Sequence, residues 1–127
     1  MQQRPVYLDL TKIRLPLSAI ISIMHRVSGV YVFFVTIPLI LYCMYKSTFS
    51  KASFDQLVID ISSISLFSFF VFISISIFLF HITSGIRHLI MDFLHIGESL
   101  SGAHYSAITS LIIWFVTSIV FYGYLFL

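Results

Sequence analysis

Five residues recur at a regular interval in an otherwise apolar part of this 127-residue chain. His81, Gly85, His88, Asp92 and His95 are spaced four, three, four and three apart. On an α-helix that spacing puts all five on one stripe. Ser74, seven residues before His81, extends it. A polar stripe at membrane depth must face other protein or a cofactor, because lipid offers no hydrogen bonds. An ionisable residue there is a functional-site hypothesis from the outset. Two readings of His81 stand open. Its neutral imidazole could ligate the iron of a b-type haem, with Gly85 leaving room for a macrocycle edge one turn on. Alternatively, it is a histidine hydrogen-bonded to a neighbouring helix.

A bis-histidine haem needs a second ligand. His88 is two turns from His81, roughly 10 Å along the same helix, so the two cannot grip one iron from opposite faces. His25 lies at the start of the first apolar run and is expected near the surface. The second ligand is therefore expected from another chain. His25, Arg26, Arg87 and His88 gather where two helices reach the same side, making an anion site that suits carboxylates such as haem propionates, or an anionic quinone intermediate. The plainer reading of Arg26 and Arg87 is that they snorkel to headgroups as membrane anchors. Ser22, Arg26 and Gly29 share one helical face, where a hydroxyl and a guanidinium could hydrogen-bond a quinone carbonyl. Asp92 could orient His88 from one turn away, or be a surface charge. His95 and His104 fall in or near a loop and read as solvated.

The elements that must position these residues are membrane helices. Hydrophobic residues make up 59% of the chain and charged residues 9%, against about a quarter charged in a soluble domain. Uncharged runs cover Val27 to Tyr45, Ile61 to Phe80 and Ala107 to Leu127. Each approaches or exceeds the roughly 20 residues needed to span a bilayer, and their continuity argues against strands. The fold expected is all-α: one membrane domain over 1–127, with spans at about 21–46, 60–88 and 107–127. The second helix has no proline between Ile61 and Phe93 and reads as continuous, near 50 Å long, so it must tilt or protrude. Pro38 within the first run predicts a kink. Ser62, Ser63, Ser65, Ser68, Ser74 and Ser76 predict a face packed on another helix. Most tyrosines read as interface-belt residues, and Trp114 as lipid-facing or packing. A cleaved signal peptide is not expected, because the first run starts late and no clear cleavage site follows it.

Basic residues set the topology. Arg4, Lys12, Arg14, Arg26 and Arg87 fall on one side and Lys46 and Lys51 on the other, which predicts a cytoplasmic or matrix N-terminus. The net charge of +2 gives no basis for nucleic-acid binding. The single cysteine, Cys43, rules out an internal disulfide, a thiolate zinc site and a cysteine-held iron–sulfur cluster within the chain.

Two motifs carry a family resemblance. The first is Arg4-Pro-Val-Tyr-Leu-Asp-Leu10 followed by Ile23-Met-His-Arg-Val-Ser-Gly29; the second is His81-Ile-Thr-Ser-Gly-Ile-Arg-His-Leu89 with Asp92 after it. In type, order and separation the chain resembles the cytochrome b556 anchor subunits of succinate dehydrogenases. The resemblance implies that His81 is the axial haem ligand and that Ser22 and Arg26 line a ubiquinone site. It places His25, Arg26 and His88 near the haem propionates. It also implies a second small membrane anchor subunit donating the other ligand, with an iron–sulfur subunit and a flavoprotein subunit on the inner face. No succinate-oxidising site, and no catalytic residue, is expected in this chain. The opening motif resembles the bacterial branch, so a bacterial inner membrane is expected over a mitochondrial one. Two rivals remain: the membrane cytochrome b of a hydrogenase or formate dehydrogenase, which needs more deep histidines, and a haem-free structural anchor of a fumarate reductase-type or other complex. A transporter would favour broken helices and midplane charges, and neither is found.

Overall fold

The computed structural model of the chain describes residues 15–97 and 99–126. The opening motif from Arg4 to Leu10, together with Lys12 and Arg14, lies outside them. The described residues form four helices and no strand. Helix α1 spans Leu17–Phe49, α2 Lys51–Ser62, α3 Leu66–Leu94 and α4 Leu100–Phe126. The helices α1, α3 and α4 hold 33, 29 and 27 residues and are apolar enough to cross a membrane. At 1.5 Å per residue even α4 reaches about 40 Å, beyond the roughly 30 Å of hydrocarbon.

Helix α1 is continuous but changes its hydrogen-bond pattern midway. Val32–Thr36 is a π-helical turn, and the Ile37 N–H reaches back to the Val32 carbonyl. Pro38 follows immediately, inside the first turn of the resumed α-helix. The proline ring clashes with the carbonyl four residues before it. The wider π turn relieves that clash, which gives the predicted kink a specific form.

The reading of one helix from Ile61 to Phe93 is corrected at its start. Chain direction changes between Ser62 and Leu66, and α2 is a separate helix on the side of the bundle reached by the end of α1. Serines cause the break. Ser63 and Ser65 both take extended backbone, and Ser65 caps α3 with a reciprocal capping box to Ser68. Serine competes for backbone hydrogen bonds in non-helical geometry, so it favours this role over a helix interior. At the other end, α3 runs one residue past Phe93 and is closed by His95 in the left-handed region (φ 52°).

Helix α3 is the centre of the bundle, packed on α1 along one side and α4 along the other. The core is thin: Ile21, Phe80 and Ala107, flanked by Leu17, Leu111 and Trp114. Small residues make the remaining close contacts, as membrane helices require when lipid removes the hydrophobic drive. Ser68, Ser74 and Ser84 of α3 are fully buried. Ser74 Oγ lies 3.1 Å from Tyr31 Oη, Ser76 Oγ lies 3.0 Å from Ser118 Oγ, and Trp114 Nε1 donates to the Ser76 carbonyl at 2.9 Å. Trp114 is thus a packing residue, stacked edge-on to Phe80. Only 11–22% of each spanning window is buried within the chain, so most of the apolar surface is left to lipid or to other subunits.

Candidate functional site

The polar stripe of α3 faces α1. The two helices run antiparallel, and their register sets each histidine of one against a glycine of the other. A Cβ at Gly29 would lie 3.0 Å from His81 Cε1, and a Cβ at Gly85 would lie 3.1 Å from His25 Nε2. His25-x-x-x-Gly29 and His81-x-x-x-Gly85 have the same spacing. Facing each other head to tail, they exchange partners across the interface.

That exchange stacks the rings. His25 and His81 lie 4.3 Å apart at centroid with an interplanar angle of 8°, and His88 follows 5.3 Å from His25 at 49°. His25 was expected near the surface; it is half-buried and central to the cluster. The face-to-face stack leaves no room for a metal between His25 and His81, so those two rings cannot be joint axial ligands in this arrangement.

Contacts from α1 engage Nδ1 of His81. The Ser28 hydroxyl donates to the His25 carbonyl at 2.7 Å. Its oxygen lies 3.0 Å from His81 Nδ1, and the same carbonyl lies 3.2 Å from that nitrogen. A carbonyl only accepts, so the arrangement is favourable when Nδ1 carries the proton. Nε2 then keeps its lone pair, and no hydrogen bond occupies it among the described residues. A histidine that donates through one nitrogen to a backbone carbonyl while offering the other is the usual arrangement of a metal-ligating imidazole. The residues present therefore fit a haem iron at His81 Nε2.

The other expected residues divide. Ser22 Oγ lies 3.3 Å from His88 Nε2, which brings a quinone-site candidate into the histidine cluster. Arg26 is exposed on α1, and Arg87, Asp92 and Arg26 all act electrostatically on His88. The hydrogen bonds of Arg87, however, go elsewhere than expected. Arg87 sits 100° around α3 from His88 and turns to α4, where Nε donates to Ser106 Oγ at 3.0 Å and Nη2 to the Ala103 carbonyl at 3.2 Å. Ser28 was missed as a site residue, although it lies between His25 and Gly29 in the first motif; the shared His-x-x-x-Gly spacing was the available signal.

Three apolar helices long enough to cross a bilayer, two of them packed on the central α3, define a multi-pass membrane protein. The comparisons agree with that class. The chain matches the family model for the succinate dehydrogenase/fumarate reductase transmembrane subunit over residues 1–121 and belongs to that family. It is 43% identical over 117 residues to the succinate dehydrogenase cytochrome b556 subunit of Coxiella burnetii, covering 90% of each chain. It is 42% identical over 93 residues to the succinate dehydrogenase cytochrome b560 subunit of Porphyra purpurea, covering 70% of this chain and 71% of that one.

Proposed function

We propose that this chain is the haem b- and quinone-binding anchor of a succinate dehydrogenase, delivering electrons from succinate oxidation to ubiquinone. The observation that carries the reading is the contact of His81 Nδ1 with the His25 carbonyl and Ser28 Oγ, which favours a proton on Nδ1 and leaves Nε2 without a hydrogen bond among the described residues. In this reading His81 Nε2 would hold the haem iron. A second small anchor subunit would donate the other ligand, because the His25 ring is stacked face to face on His81 and leaves no room for an iron between them. His25, Arg26 and His88 surround the haem propionates. Arg87 is left out of that group because it is committed to α4.

Bound haem supplies one-electron storage beside the quinone site. The residues of this chain do the rest. Ser22 donates a hydrogen bond to a quinone carbonyl, and Arg26 favours negative charge developing on the quinone oxygens as electrons arrive. Ser28 and the His25 carbonyl hold the ligand ring in orientation. An iron–sulfur subunit and a flavoprotein subunit dock on the inner side, where succinate is oxidised away from this chain. The excess of basic residues on that side supports a cytoplasmic N-terminus in a bacterial inner membrane.

The decisive experiment is a reduced-minus-oxidised visible spectrum of the membrane complex with His81→Ala beside the unaltered one. Loss or displacement of the b-type bands, with assembly retained, is expected. An unchanged spectrum makes His81 a packing histidine and leaves the haem-free structural anchor as the reading.

A further inference from the structure

Arg87 is 6% exposed, set deep between α3 and α4. Its acceptors, Ser106 Oγ and the Ala103 carbonyl, are both neutral. Its Nη1 is buried with no hydrogen-bond partner, and no ion pair reaches it among the described residues. A buried cation without a counter-charge is strongly unfavourable, and an unmet donor adds to the cost. Something outside the described residues must supply negative charge.

A groove of about 580 Å³ between α3 and α4 has Arg87 in its wall. It lies on the face of α3 opposite the His81–Gly85–His88 stripe, so it is a separate site. Ile86, Ile90 and Ile113 form its apolar side and are each about half exposed (51%, 42% and 48%), so it opens away from the bundle. Ser106 carries a hydroxyl beside the guanidinium, and Thr109 another on the groove wall. The α3–α4 turn closes one end. Gly97 has φ +85°, and a Cβ at Gly102 would lie 2.8 Å from Gly97 Cα, so no larger side chain can fill that corner. Arg87 lies seven residues before the end of α3, roughly 10 Å along the axis. With α3 about 44 Å long against roughly 30 Å of hydrocarbon, a span centred on the bilayer would put that depth within a few ångströms of the headgroup boundary.

We infer that this groove holds an anionic phospholipid, its phosphate against Arg87 and the neighbouring hydroxyls and one acyl chain along the isoleucines. The two chemistries of the groove match the two ends of that molecule. A guanidinium in a low-dielectric wall attracts an anion far more strongly than one in water. The inference does not depend on haem ligation by His81, so either can fail alone.

The test uses the whole complex purified in mild detergent, stripped of lipid and titrated with phosphatidylglycerol or phosphatidylcholine, with bound lipid counted by native mass spectrometry. The unaltered complex is expected to retain phosphatidylglycerol preferentially at one site per copy of this chain. Arg87→Gln should weaken that binding roughly tenfold, the scale of one charge-assisted hydrogen bond, and leave phosphatidylcholine binding and the visible spectrum unchanged. If Arg87→Gln does not assemble, Ile113→Trp fills the groove while leaving both Arg87 hydrogen bonds intact, and it should block the same site. Equal retention of both lipids, or full phosphatidylglycerol retention in Ile113→Trp and Arg87→Gln, overturns the proposal. So does loss of a neighbouring subunit rather than lipid from Arg87→Gln, which would assign the counter-charge to a partner's carboxylate.

Discussion

The ring of His81 is held by Ser28 Oγ, the His25 carbonyl and the flat surface at Gly29, all from one turn of α1. In the proposed function these contacts would orient the ligand ring without replacing it. Ser28→Ala leaves the carbonyl contact but removes the hydroxyl that bridges it to the ring. Haem retention by the assembled complex is expected to fall on the order of tenfold, the usual scale for losing such an orienting partner, with a shifted midpoint potential in a redox titration. An unaltered potential would reduce Ser28 to packing. The two glycines give a sharper contrast. Gly29→Ala presses directly on His81, whereas Gly85→Ala presses on His25. In the spectrum of each variant, Gly29→Ala should displace the b-type bands more. The reverse order would mean that His25, not His81, is the ligand.

At the scale of elements, two local devices shape the bundle. Ser65 ends the excursion of α2 and starts α3, with its side chain and that of Ser68 capping each other's backbone. Ser65→Ala removes half of this box and should lower stability by about 1 kcal/mol, read as an earlier thermal melt of the purified complex with its spectrum intact below the transition. The π turn before Pro38 is the other device. It changes the helical phase between the part of α1 that carries His25 and Ser28 and the part that packs on α2. One helix thereby meets α3 along its first half and α2 along its second.

At the scale of the molecule, the chain is unfinished by its own packing. Most of each spanning window is not buried within the chain, and the stacked rings of His25 and His81 leave no room for an iron between them. Expressed in membranes without other subunits, the chain is therefore expected to give no low-spin bis-histidine spectrum. Co-expression with the remaining subunits should restore it. A full spectrum from the isolated chain would place both ligands within it and require the His25–His81 stack to open.

The three spans were legible in the sequence because length and continuous apolarity alone decide whether a segment crosses a bilayer. The all-α class followed, since backbone groups in lipid must be satisfied within the segment. The stripe from His81 to Asp92 was legible for a related reason, because helical periodicity is a local property. The serine break after Ser62 was not read, since nothing local separates a serine that packs from one that caps. Register was not readable either. That His25 meets Gly85 while His81 meets Gly29 depends on how far α1 slides along α3, and only close contact of the two backbones at the glycines sets that distance. The side taken by Arg87 was decided the same way. A cation between two helices turns to whichever presents acceptors, and α4 brings Ser106 and the Ala103 carbonyl within reach.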